Sequence, residues 1–189
     1  NAYFIYDISN FTLIYDYYED NTGLGTSVSI DGSYAIIGAP YYNSDSGKII
    51  IYDVHNSKKY EYWEYSYDYR FGHSVAIYND NVIIGSPAYN SNAGKVTIYN
   101  IPYLLDNLPP KTHVSPNGNY NFGNILAIYG SYFIVGGKYD SANSGGDLSK
   151  IYLYNINNYS PLIATLDISS YISSYITETD YSYNMSLAI

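Results

Sequence analysis

The sequence predicts an all-β fold built from repeated units of four antiparallel strands, and three observations predict it. One segment recurs along the chain. It reads LGTSVSIDGSYAIIGAP at Leu24–Pro40, FGHSVAIYNDNVIIGSP at Phe71–Pro87 and FGNILAIYGSYFIVGG at Phe122–Gly137, with a truncated YNMSLAI at Tyr183–Ile189. The copies begin 47, 51 and 61 residues apart, a period that marks stacked supersecondary units. Second, apolar residues alternate or run continuously over short stretches. No stretch holds a 3.6-residue apolar period with caps, so helical signals are absent. Third, aromatics make up 19% of the chain, 29 of its residues being Tyr, against 13% charged. Tyr, Ile and Val suit a pleated, half-buried surface.

Taken in order, residues 1–22 open with AYFIYDI (Ala2–Ile8). That element returns as GKIIIYDV (Gly47–Val54), GKVTIYNI (Gly94–Ile101) and SKIYLYNI (Ser149–Ile156), each time after the segment above. Residues 1–22 are therefore read as the last two strands of a preceding unit. Residues 23–70, 71–121 and 122–182 are whole units, and 183–189 is the first strand of a following one. In the first strand of a unit, Val75 and Ile77 alternate with Ser74 and Ala76, and Val28/Ile30, Leu126/Ile128 and Leu187/Ile189 keep that parity. Large groups face one side and small ones the other. Turn signals follow at Asp31-Gly32-Ser33, Asn79-Asp80 and Gly130-Ser131. The second strand (Val82-Ile83-Ile84-Gly85) is almost wholly apolar, as a strand covered on both faces should be. The third repeats Lys-apolar-x-apolar-Tyr at Lys48–Tyr52, Lys95–Tyr99 and Lys150–Tyr154; the fourth, KKYEYWEYSYDY at Lys58–Tyr69, is the least regular. Units of this kind describe a β-propeller blade, which must lie against its neighbours. About three whole blades are expected, with partial blades at both ends.

These residues resemble the FG-GAP repeat family, the blades of integrin α-subunit propellers and of many bacterial and viral surface proteins. Phe71-Gly72 and Phe122-Gly123 look like its FG element, and Leu24-Gly25 is a near match. Gly38-Ala39-Pro40 matches the GAP element, Gly85-Ser86-Pro87 differs by one residue, and Gly136-Gly137-Lys138 departs further. The resemblance recurs in register over nearly the whole chain. It implies a non-catalytic scaffold, extracellular or on a cell or virion surface, that binds a protein or glycan through its loops.

Two departures qualify what the resemblance implies. Integrin-type blades often carry a calcium loop between the first two strands. Here that connection is a tight turn with too few oxygen ligands for an ion that takes six to eight, so the chain is similar to the calcium-free variety and no cofactor is expected. Asn43, Asp45, Asn90 and Asn92, in the next loop along, are weak candidate ligands that read first as Asx-type turns closing a hairpin. The other departure is phase. Propellers close with four to eight blades, and seven at this spacing need roughly 350 residues. Either the sequence is a window on a longer polypeptide, the preferred reading, or neighbouring chains complete its sheets.

The formal net charge is −9 with a single arginine, Arg70. Phosphate backbones and anionic membrane surfaces need clustered Lys and Arg, so neither is an expected partner. No apolar run approaches the roughly 18–20 residues of a membrane span. The absence of cysteine excludes disulfides and thiolate chemistry. His55, His73 and His113 do not recur, and no HExxH, GxSxG or phosphate-cradling loop is present, so no catalytic residue is nominated. Along Lys58–Tyr69 an unbroken strand puts Trp63, Tyr65, Tyr67 and Tyr69 on one face and Tyr60 and Tyr62 on the other. They are candidates for a binding surface, with packing between blades as the competing reading. The Lys48/Lys95/Lys150 series reads as an edge-guarding or salt-bridging position. Sequons at Asn10, Asn158 and Asn184 are candidate glycosylation sites. Two other functions stay open: a structural subunit of an extracellular filament or sheath that self-assembles by chain-to-chain blade packing, and an accessory module of a larger enzyme.

Overall fold

A computed structural model describes residues 1–63, 70–105, 109–115, 121–137, 150–157 and 164–167. The protein is all-β. A two-stranded sheet comes first, β1 (Ala2–Asp7) with β2 (Thr12–Tyr18). Three four-stranded antiparallel sheets follow, each pairing its strands in sequence order. The first joins β3 (Ser27–Asp31), β4 (Tyr34–Ala39), β5 (Lys48–Asp53) and β6 (Lys58–Trp63). The second joins β7 (Ser74–Tyr78), β8 (Asn81–Ser86), β9 (Lys95–Asn100) and β10 (Lys111–Val114). The third joins β11 (Ile125–Tyr129), β12 (Tyr132–Gly136), β13 (Lys150–Asn155) and β14 (Ala164–Asp167).

The hairpins form where the turn signals stand. Two residues separate β3 from β4, β7 from β8 and β11 from β12, and the first of each pair (Gly32, Asn79, Gly130) has positive φ. That loop length fixes register: Val75 lies opposite Ile84, and Val28 opposite Ile37.

Alternation then builds the core. In β5, Ile49 and Ile51 point towards the second sheet and pack with Phe71, Val75, Ile77, Val82 and Ile84. Ile50 and Tyr52 point the other way, onto Tyr3 and Ile5 of β1. The pattern repeats one sheet on: Val96 and Ile98 of β9 meet Phe122, Phe133, Tyr152 and Tyr154 of the third sheet, while Tyr99 faces back. The sheets therefore stack face to face through equivalent positions, leaving one apolar layer between each pair. Each fully buried Ile side chain contributes roughly 2 kcal/mol of transfer free energy to such a layer.

Polar groups on β3 and β7 set how closely the sheets approach. Ser27 Oγ donates to the Gly72 carbonyl at 2.8 Å, and Ser74 Oγ donates to that of Gly123 at 2.6 Å. The Ile77 N–H donates to Ser29 Oγ at 3.2 Å, and the Asn79 N–H donates to the Asp31 carboxylate. The small residues of the first strand are thus not merely small. Their hydroxyls satisfy backbone groups of the next sheet, which would otherwise be buried without a partner.

Two expectations need correction. A short helix, Ile101–Leu105, follows β9 and buries Ile101 and Leu104 in the layer between the first and second sheets. Five residues cannot display a helical period, and Pro102 suits a first helical turn because it lacks an N–H. The lysine series does not guard an edge. β5 and β9 each have a partner strand on both sides, and Lys48 and Lys95 are buried; the side chain of Lys150 lies outside the described residues. The ion-pairing half of that reading holds for Lys48, 1% exposed, whose Nζ donates to Glu19 at 2.8 Å and Glu61 at 3.1 Å. Burial alone would lower its pKa, but these two hydrogen bonds carry it above the usual value. Lys48→Met leaves Glu19 without its partner while Glu61 keeps Lys59, so a loss of about 2 kcal/mol is expected in chemical denaturation. Lys59→Met, which removes the more open Lys59–Glu61 pair, should cost less than about 1 kcal/mol.

Ser86 stands where the first copy has Ala39, and both are wholly buried. Its Oγ has no hydrogen-bond partner among the described residues. Ser86→Ala removes a desolvated hydroxyl without leaving a cavity and should raise stability by about 1 kcal/mol, read as an upward shift in melting temperature.

Candidate functional site

The connection between second and third strands holds the most distinctive local geometry. Asn43, Ser44 and Asp45 have φ of 49°, 58° and 68°; Asn90, Ser91 and Asn92 have 48°, 59° and 70°. Each run is one turn of left-handed backbone. Asn and Asp tolerate this conformation better than other residues that carry a Cβ. Backbone bonds close it, with the Gly47 N–H donating to the Tyr42 carbonyl at 3.0 Å and that of Gly94 to Tyr89 at 3.0 Å. The residues that precede the turns, Tyr41 and Ala88, make no side-chain capping hydrogen bond, and Asn43, Ser44, Asn90, Ser91 and Asn92 are exposed while Asp45 is half-buried. Among the described residues no group of three His, Cys, Asp or Glu could hold an ion.

The following unit locks each turn from below. The Arg70 N–H donates to the Asp45 carbonyl at 2.6 Å and the Phe71 N–H to that of Ser46 at 3.2 Å. Asn121 and Phe122 repeat these bonds on Asn92 and Ala93 at 2.8 and 3.3 Å. A rigid turn of identical shape is thereby presented by two successive sheets.

Register brings Trp63 to the first of these turns. Trp63 ends β6 opposite Lys48, the first residue after the turn. Its ring lies 6.3 Å from that of Tyr42, and Lys48 Nζ sits 4.5 Å over the Tyr42 ring. Tyr41 carries the Arg70 guanidinium 5.8 Å above its face. Trp63 and Tyr41 remain 39% and 41% exposed, and Asn43 and Ser44 beside them are exposed. The second turn has a lesser version, with Lys95 Nζ 5.0 Å over Tyr89. Flat rings with polar rims, flanked by one guanidinium and amide groups, suit ligands that offer C–H faces and hydroxyls or carboxylates.

The other candidates separate. Tyr60 and Tyr62 point to the opposite face of β6, half-buried against the layer shared with the second sheet, and Lys58 lies over Tyr60. They pack. Tyr65, Tyr67 and Tyr69 lie outside the described residues, as do Asn158 and Asn184. Asn10 is exposed in the β1–β2 turn, where its Oδ1 accepts from the Thr12 N–H at 3.0 Å and the Thr12 hydroxyl at 2.7 Å. Sequence reasoning missed Tyr41, Tyr42 and Arg70. The signal was available, since Tyr41-Tyr42 directly follows the GAP tripeptide, but only the third dimension adds Trp63.

The histidines do not converge. His55 is exposed in the β5–β6 turn. His113 is half-buried against Phe133 and Tyr154, at ring distances of 6.0 and 5.1 Å, and this desolvation lowers its pKa. Because the folded state resists the proton, the unfolded chain binds it first. The contribution is intact above about pH 6.5 and is lost as pH falls below it. His113→Phe should flatten that part of a stability-versus-pH curve measured by urea denaturation.

No family model matches the chain, and no curated protein matches it. No helix among the described residues is long and apolar enough to cross a membrane.

Proposed function

We propose that the chain is a non-catalytic β-propeller segment of the FG-GAP type, an extracellular or surface scaffold that offers its second-to-third-strand turns to a protein or glycan ligand. The observation that carries this reading is the left-handed turn presented twice in the same shape, the first copy beside the exposed rings of Tyr41 and Trp63. A rigid, repeated turn with exposed Asn and Ser side chains needs no ordering on binding, which lowers the entropic cost of recognition. The ionisable groups support it too. Lys48, Lys59, Glu19 and Glu61 are tied to one another, and Asp53 accepts from the Asn56 N–H and amide.

Glycan and cell-surface protein arrays probed with the labelled chain test the proposal. The expected result is binding to a restricted set of ligands, reduced at least tenfold by Trp63→Ala and by Tyr41→Ala. Those side chains are partly open, so both variants should melt within a few degrees of the parent. Silence across both arrays, or binding unmoved by both changes, overturns the reading.

A further inference from the structure

We infer that Asn10 is an attachment site for an N-linked glycan, because the β1–β2 turn holds its side-chain amide in the arrangement that oligosaccharide transfer needs and leaves the nitrogen open. The inference rests on the extracellular or surface placement proposed above and on nothing said there about the ligand.

The turn sets the geometry. Asp7 pairs with Thr12 across the hairpin, so residues 8–11 make the connection. Phe11 has a φ of 57° and turns the chain back towards Asn10. Asn10 Oδ1 consequently accepts from the Thr12 N–H at 3.0 Å and from the Thr12 hydroxyl at 2.7 Å. A backbone N–H can only donate, which fixes the oxygen, not the nitrogen, on that side of the amide. Nδ2 is the other end, and it donates to no described residue. Asn10, Phe11 and Thr12 are all exposed.

The β5–β6 turn supplies an internal comparison. Asp53 pairs with Lys58, so residues 54–57 make that connection, and Ser57, in the place of Phe11, has a φ of 52°. Asn56 thus stands where Asn10 does. Its sheet has all four strands, yet His55, Asn56 and Ser57 are exposed. A turn in this place therefore reaches solvent even when its sheet is complete. The two amides differ in state. Asn56 Nδ2 donates to Asp53 Oδ2 at 2.8 Å, whereas Asp7 Oδ1 accepts from the Ser9 N–H and hydroxyl at 2.8 and 2.6 Å. Lys58 stands where Thr12 brings its hydroxyl.

The chemistry follows. An amide nitrogen is a poor nucleophile because its lone pair is delocalised into the carbonyl. Two donors on Oδ1 stabilise negative charge on that oxygen. They favour the imidate form, in which the nitrogen lone pair is available. Nδ2 then attacks C1 of a sugar carried on a polyprenyl pyrophosphate. The C1–O bond breaks, its electron pair leaves with the pyrophosphate, and one Nδ2 proton passes to a base of the transferring enzyme.

The test is the 189-residue chain behind a cleavable export signal, expressed in cultured mammalian cells and recovered from cells and medium together. Tryptic peptide 1–48 contains one Asn-x-Ser/Thr triplet, at Asn10. Mass spectrometry should find that peptide carrying an N-acetylhexosamine-based glycan that peptide N-glycosidase removes. Thr12→Ser should keep the glycan and Thr12→Val should lose it. Lys58→Thr gives the Asn56 turn the same triplet with its amide still bonded to Asp53, and occupancy there should be at least fivefold below that of Asn10. The parent's occupancy is read without any substitution, so a misfolded variant cannot mimic success. An unmodified peptide 1–48 overturns the inference. So does a glycan retained by Thr12→Val, or equal occupancy of Asn56 in the Lys58 variant, because the triplet alone would then decide. Peptide masses and ligand arrays are read separately, so failure of either reading is told apart from failure of the other.

Discussion

Phe71→Ala is expected to lower the unfolding free energy by about 4 kcal/mol, the largest loss from any single core position. Phe71 is wholly buried in the layer between the first and second sheets, against residues that both contribute. Its backbone is equally committed, with its N–H donating to Ser46 and a bridge to Gly47. Truncation leaves a cavity whose walls are strands held on both sides, so little relaxation can fill it. The counterpart Leu24 is also buried, but it lies in the layer against the two-stranded sheet. Leu24→Ala should cost less, about 2–3 kcal/mol. Urea titrations of the three proteins, followed by Trp63 fluorescence and circular dichroism, make the comparison. Equal losses would show that the layer against the two-stranded sheet is packed as firmly as the layer between the first and second sheets.

Gly85→Ala is the second change of large effect, with an expected loss of about 3 kcal/mol. A Cβ there would lie 1.9 Å from the Gly123 carbonyl and 2.3 Å from Ser74 Oγ. The carbonyl belongs to the backbone and cannot turn aside, so the second and third sheets must separate. Separation breaks the Ser74–Gly123 hydrogen bond and opens the layer that buries Phe122. Gly32→Ala is the control. A Cβ at Gly32 meets nothing within 4 Å and the cost comes only from its φ of +55°, about 1 kcal/mol. A Gly85 variant no less stable than the Gly32 variant would mean that the sheets do not approach through this glycine.

Strands and their faces were legible in the sequence because apolar period and turn chemistry agree in every copy. Val75 and Ile77 could be assigned to one side from alternation alone, and the structure puts both in the layer between the first and second sheets; the side taken by Ile84, in a continuously apolar strand, needed the structure. What repetition could not show was anything supplied by non-repeating residues. Lys48 is buried because Glu19 and Glu61 happen to reach it, and neither glutamate recurs, so its environment could not be inferred from the lysine series. The serines of the first strand read as small residues, since their acceptors are backbone carbonyls about 45 residues away. The Asn-Ser-Asx loops announced a turn but not its hand, which depends on successive residues accepting positive φ together. The aromatic site was half legible: Trp63 stood out by composition, while Tyr41 and Arg70 join it only through β-sheet register and the bond from Arg70 to Asp45.

The account depends on consecutive sheets meeting through equivalent faces, and isoleucine methyl contacts measure that directly. With Ile δ1-methyl, Val methyl and Phe ring labelling, a three-dimensional NOE spectrum should connect Ile36, Ile49 and Ile51 to Ile77 and Ile84 across the first layer. Ile83, on the other face of β8, should show contacts to Val96, Phe122 and Phe133 instead. Cross-peaks from Ile36 or Ile51 to Ile83 in place of Ile84, or none between the sheets, would contradict the stacking and everything built on it.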